Sequence, residues 1–269
     1  MQPVAEALSG STHASGPLVE ARDLVKQFGG LRAVDHMSIT LRRGEMVGLI
    51  GPNGAGKTTL FNLIAGSLKP TSGSIRIGGA EVAQERPERR IERGIGRTFQ
   101  IPRPFAEMTV LENVLTGSQR QSGERIWMNF LQPSRVAAEE RQAVDKARTL
   151  LDFVKLSGLE AEPARVLSGG QRKLLELARV LMADPETILL DEPAAGVNPT
   201  LLELISDRVL ELNRQGKSIL LIEHNMDMVA RLCGRVVVMA AGKLLTEGTP
   251  DEVSRNRTVI EAYLGEVAA

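Results

Sequence analysis

The stretch Glu45–Thr58, "EMVGLIGPNGAGKT", constrains this chain more than any other. A short apolar run leads directly into Gly51, Pro52, Asn53, Gly54, Ala55, Gly56, Lys57 and Thr58, which meet the pattern G-x-x-x-x-G-K-[ST] in full. The glycines let the backbone curl until its N–H groups face anionic oxygens, and the helix that follows adds a positive dipole end. Lys57 reaches the β- and γ-phosphates of a nucleotide, the Thr58 hydroxyl suits Mg²⁺, and Thr59 continues the cradle. Such a loop needs a buried strand before it and a helix after it, here from about Lys57 to Ala65. The rest of the chain supplies matching pieces. Beyond Leu167 a helix over 170–183, a strand over 187–191, a helix over 199–215, a strand over 218–223 and a helix over 225–233 follow in turn. A hairpin, "RVVVMAAGKLLTEG", and two short helices complete the chain. This alternation predicts an α/β fold with a mostly parallel sheet and helices on its faces.

Two of the apolar runs end in chemistry. "TILLDEP" places Asp191 and Glu192 at the end of a buried strand, where Asp191 can hold Mg²⁺ through water and Glu192 can polarise an attacking water. "SILLIEHN" places His224 at the end of another, as a γ-phosphate contact. If these strands run parallel, Lys57, Asp191, Glu192 and His224 share the sheet edge at which open α/β sheets bind ligands. Gln100 ends the predicted strand "GIGRTFQ", and its amide is placed to reach Mg²⁺ or the water. His13 and His36 carry no such reading, one lying in the N-terminal tail and the other in an exposed strand. A second anion-binding corner stands at "LSGGQ", Leu167–Gln171, where Ser168, Gly169 and Gly170 open a helix. It can serve a second ligand, or the open side of a triphosphate held by another copy of the chain.

Composition narrows the function. Lys+Arg and Asp+Glu each number 33, giving a formal net charge of zero, and aromatics make up only 3%. Neither favours a nucleic-acid partner. Cys233 is the single cysteine, so no intrachain disulfide forms. No apolar run is long enough to span a bilayer, and the N-terminus has neither the basic nor the apolar region of a secretory signal. A cytoplasmic protein is expected, and any membrane role would have to come through a partner. Residues 1–17, rich in Ser, Gly and Ala, read as a disordered tail, and 267–269 as a short one. Residues 101–165 read as an all-helical insertion: Thr109 and Glu112 have capping-box spacing, and "SRVAAEERQAVDKARTLLDFVKL" reads as a long amphipathic helix. Trp127 and Phe130 within it read as packing residues.

The ordered set Gly51–Thr58, Gln100, Leu167–Gln171, Ile188–Glu192 and His224 resembles the nucleotide-binding subunit of ABC transporters over nearly the whole chain, about 18–266. The resemblance implies one ATPase domain: a P-loop NTPase core, an N-terminal antiparallel β subdomain and the helical insertion. It implies ATP and Mg²⁺ as ligands, ATP hydrolysis, and a head-to-tail dimer with a second copy or a sister ATPase. Ser168, Gly169, Gly170 and Gln171 would then act in trans, and Phe28 matches the aromatic that stacks on adenine. "GRTFQIPRPFAEMTVLENV", "DEPAAGVNP" and "VIEAYLGE" resemble the ATPases of branched-chain amino acid importers. Those work with transmembrane permease subunits and, indirectly, a solute-binding protein, which places the chain on the inner face of the membrane. A lipid or lipopolysaccharide exporter and a urea or amide importer are the alternatives. Arg103, Phe105 and Met108 are candidates to grip a permease, or packing residues of the insertion. Asn198 stands where many relatives of the wider family carry Asp.

Overall fold

The computed structural model describes residues 16–119 and 132–267, with side chains up to 264. Residues 1–15 of the tail expected over 1–17, with its His13, together with Trp127, Phe130 and the last two residues, lie outside the described residues.

Two sheets organise the chain. The first is antiparallel and is made of β1 (Val19–Phe28), β2 (Leu31–Leu41), β4 (Ser72–Ile77) and β5 (Ala80–Glu81), in the order β2-β1-β4-β5. The second has the order β10-β9-β3-β8-β7-β6, formed by β3 (Met46–Ile50), β6 (Ile95–Arg97), β7 (Thr187–Asp191), β8 (Ser218–Ile222), β9 (Arg235–Ala240) and β10 (Lys243–Gly248). Its strands are parallel except β10, which pairs with β9 as the hairpin expected from sequence. Every residue of β3, β7 and β8 is buried, as continuous apolar runs covered on both faces must be.

Period-two alternation divides this sheet between two cores. Val47, Leu49, Leu189, Leu220 and Ile222 face the first sheet and α1 (Lys57–Ala65), whose Leu60, Phe61, Leu63 and Ile64 are fully buried. Ile50, Ile188, Leu190, Ile219 and Leu221 face the other way, onto α5 (Gly169–Met182) and α6 (Pro199–Arg214). That second core continues into α3 (Val110–Leu115) and α4 (Pro133–Phe153) through Val110, Val114, Ala147 and Leu151. The Thr109–Glu112 capping box is present at α3. Among the described residues, 101–165 holds helices and turns with one isolated bridge, Thr109 to Pro163. The strand predicted to run to Gln100 stops at Arg97, and no described helix is long and apolar enough to cross a membrane.

The helix behind the glycine turn is locked at its far end by an arginine. Arg90, on α2 (Pro87–Glu92), is fully buried. Its Nη1 donates to the carbonyls of Leu63 and Ile64 in the last turn of α1, and its Nη2 to those of Val82 and Ala83. The orphan carbonyls of a helix end thus receive a cationic donor, which also suits the dipole. Burial lowers the Arg90 pKa to about 10, which keeps it charged at neutral pH. Arg90→Ala removes the donors and leaves a cavity, so it should lower stability by about 3 kcal/mol, read as a reduced denaturation midpoint. An unchanged midpoint would show that the lock is dispensable.

Candidate functional site

The turn after β3 is built on close backbone contacts. Gly51 has φ 147° and Gly56 has φ 98°, both unfavourable for L side chains. A Cβ on Gly51 would lie 2.0 Å from the Met239 carbonyl oxygen, and one on Gly56 would lie 2.2 Å from that of Ala33. Only glycine lets the turn rest on β9 and β2 in this way. Lys57 curls back into the loop, donating to the carbonyls of Gly51 at 2.6 Å and Pro52 at 2.8 Å.

Strand topology brings the predicted acids and histidine to the same edge. A cleft of about 470 Å³ is lined by Asn53–Thr59, Gln100, Glu192 and His224, with Leu31, Arg32, Ala33 and Ala241 completing its wall. Within it the Glu192 carboxylate is held on both sides: Gln100 Nε2 donates to Oε2 at 2.6 Å, and His224 Nε2 stands 3.0 Å from Oε1. Glu192 has φ 49°, a left-handed conformation that costs a non-glycine residue of order 1 kcal/mol or more. Its backbone is pinned to hold it there. The N–H donates to the Ile222 carbonyl, and the carbonyl accepts from Ala195 N and, at 2.6 Å, from Lys173 Nζ.

Asp191 lies one residue behind and is nearly sealed from solvent. Its Oδ2 accepts from Arg97 Nη2 at 3.3 Å, and Arg97 also donates to Asn62 at 2.6 Å. Burial raises the Asp191 pKa despite that cation, and Oδ1 is buried with no protein partner.

Other predicted residues fall elsewhere. Ser168, Gly169, Gly170 and Gln171 form the start of α5, outside the cleft of their own chain. Ser168 and Gln171 make a capping box, with Gln171 N donating to Ser168 Oγ at 3.3 Å and Ser168 N to Gln171 Oε1 at 2.9 Å. Gly169 is exposed with open space where a Cβ would sit, whereas a Cβ on Gly170 would meet Leu201 of α6 at 2.7 Å. Phe28, at the end of β1, is 46% exposed and lies outside the cleft lining, which begins at its cross-strand partner Leu31. The Lys26 ammonium stands 5.0 Å from the Phe28 ring centre. His36 is exposed on β2, and Asn198 caps α6 through Leu201 N at 2.9 Å. Phe105 and Met108 are about half exposed, with the Arg179 guanidinium 5.4 Å from the Phe105 ring centre, and Arg103 is exposed as well.

Sequence reasoning passed over Glu223, Arg32 and Leu31. Glu223 is buried, and its carboxylate accepts from the backbone N–H groups of Ala194 at 2.6 Å, His224 at 2.9 Å and Asn225 at 3.1 Å. It ties the turn after β7 to the turn after β8, and so Glu192 to His224. An acid placed between an apolar strand and a predicted site histidine was the available signal.

Residues 34–195 match the ABC transporter family, and residues 243–269 match the family described as branched-chain amino acid ATP-binding cassette transporter. The chain is 41% identical over 254 residues to the high-affinity branched-chain amino acid transport ATP-binding protein LivG of Salmonella typhimurium, covering 94% of this chain and 99% of that protein. Its fold is similar to that of an ATP-binding cassette of an ABC transporter in the ADP conformation, with TM-score 0.80, 36% identity and coverage of 93% and 100%. It is also similar to a dimeric cassette in a post-hydrolysis state bound to ADP and phosphate, with TM-score 0.71, 25% identity and coverage of 86% and 98%.

Glu223→Ala strips three backbone N–H groups of their acceptor. It should cost about 3 kcal/mol in chemical denaturation and broaden the His224 ring signals in NMR. A native-like midpoint with sharp His224 signals would contradict the tie.

Proposed function

Because this chain belongs to the ABC transporter family as its ATP-hydrolysing cassette, we propose that it powers an importer of branched-chain or other hydrophobic amino acids, with Gly51–Thr59 holding the triphosphate and Glu192 orienting the attacking water. The observation that carries this is the single cleft in which the glycine turn faces a carboxylate fixed between Gln100 and His224. A bound triphosphate competes for Lys57 with the loop carbonyls, so the ammonium exchanges two neutral acceptors for anionic ones, which form stronger hydrogen bonds. Glu192 then accepts the proton of the water as it attacks the γ-phosphorus, and His224 steadies the carboxylate and the transferred phosphoryl.

Mg²⁺ fits the residues present: the buried, unpartnered Asp191 Oδ1, the Thr58 hydroxyl and the Gln100 amide are hard oxygen donors. When bound, Mg²⁺ supplies neutralisation of phosphate charge. Phe28 stacks on the adenine, beside Leu31.

Ser168 and Gly169 are exposed, with Gly170 buried against Leu201, at a helix start that the cleft of the same chain does not use. In the proposed assembly this corner caps the nucleotide of a second copy or sister ATPase, and the mutual caps of a head-to-tail pair close on themselves. Gln171 holds Ser168 in place through the capping box. Arg103, Phe105 and Met108 are exposed together just after Gln100, where a permease helix entering from the membrane would move the site directly. The chain then sits on the cytoplasmic face of the membrane, with a solute-binding protein across it.

Glu192→Gln should lower kcat by about a hundredfold to ten-thousandfold while ATP still binds, with ATP-dependent dimers accumulating in size-exclusion chromatography. Parental turnover in that variant would remove Glu192 from the chemistry. Lys57→Ala should weaken ATP binding itself in a titration. Ser168→Arg should leave ATP affinity of the monomer intact and abolish ATP-dependent dimerisation, and undiminished dimers would overturn the in-trans role.

A further inference from the structure

The helix that begins at Ser168 reaches the site of its own chain at two points. Lys173 and Glu176 are three residues apart and share one face of α5. Lys173 Nζ donates to the Glu192 carbonyl at 2.6 Å. Glu176 Oε1 accepts from Phe99 N at 2.5 Å, at the residue before Gln100. The side chains of Glu192 and Gln100 meet in turn at 2.6 Å. These contacts form a closed loop of helix, lysine, Glu192, Gln100, Phe99 and glutamate.

We propose that Lys173 and Glu176 are positioning residues that brace the Glu192–Gln100 pair from α5, so that displacement of the Ser168 corner changes the alignment of the water-orienting carboxylate in the same chain. The proposal rests on the ATPase reading above and deepens it.

Three observations support a positioning role over plain packing. Glu176 is a buried carboxylate on a helix whose other buried residues are apolar or glycine, where an apolar residue would satisfy packing alone. Its acceptor bond holds the backbone just past the end of the strand from Ile95: Thr98 N still donates to the Leu189 carbonyl on β7, while the next N–H, that of Phe99, is taken by α5. Glu192 has a strained φ, and a strained backbone persists only where its surroundings over-determine it, as the Lys173 bond does here. Lys173 is surrounded by Glu176, Asp191, Glu192 and Glu223, so its ammonium is compensated although partly desolvated. The Ser168 corner and the brace are successive turns of one rigid helix, so they move together.

The test uses the full chain and steady-state ATP hydrolysis, with ADP affinity as a check of folding. Glu176→Leu should lower kcat by about a hundredfold with KM for ATP unchanged, the size expected when a reacting group shifts by about an ångström. Glu176→Gln keeps an oxygen acceptor for the Phe99 N–H and should restore most of the rate. Adding Glu176→Leu to Gln100→Ala should lower kcat no further, since both act through one contact. Lys173→Met should behave like Glu176→Leu and provides the same test should the leucine variant misfold. Full additivity with Gln100→Ala, a Glu176→Gln variant as slow as Glu176→Leu, or a raised KM at constant kcat would overturn the brace. A parent protein without ATP hydrolysis would overturn the ATPase reading as well, whereas an active parent with unaffected brace variants overturns the brace alone.

Discussion

Everything in this site hangs on how closely the glycine turn rests on its neighbours. Met239 and Ala33 place carbonyl oxygens where side chains at Gly51 and Gly56 would have to sit. That contact fixes the turn against β9 and β2 and aims the start of α1 into the cleft. Because β3 lies between β9 and β8, and β7 pairs with β8, the acids and the histidine arrive at the same edge without any long loop. Arg90 then anchors the far end of α1, so the helix behind the turn is held at both ends.

The electrostatics follow from this frame. Four acids converge here, Glu192 lining the cleft and Glu176, Asp191 and Glu223 behind it, and each is answered differently. Glu223 is spent on three backbone N–H groups, and Glu192 is gripped by side chains. Asp191 meets Arg97 on one oxygen only. Burial pushes the Glu176 carboxyl up to about 7 despite nearby cations. A site so rich in partly compensated carboxylates suits a cation and a triphosphate together, with the charge of each offsetting the other.

Local pattern revealed much of this. The apolar runs that became β3, β7 and β8, the turn that follows the first, and the Thr109 cap were all visible as short-range signals. So was the placement of Glu192 and His224, since parallel strands put their ends together. What stayed hidden depends on partners distant in the chain. Arg90 looks like one of several arginines in a charged stretch until Leu63 and Ile64 are seen to need donors. Glu176 reads as a helix residue until the Phe99 N–H is found on it. The Ser168 corner shows the limit from the other side. Its Ser-x-x-Gln spacing marks a capping box, yet the glycines beside it first suggest an anion site. Gly170 packs against Leu201, while Gly169 remains open.

The central claim is that one chain's nucleotide is completed by another chain's Ser168–Gly170 corner. A crystal structure of the Glu192→Gln chain trapped with ATP and Mg²⁺ tests it most directly. The account predicts a triphosphate between Gly51–Thr58 of one copy and Ser168–Gly170 of the other. A triphosphate enclosed wholly by a single chain, with the corner facing solvent, would contradict it.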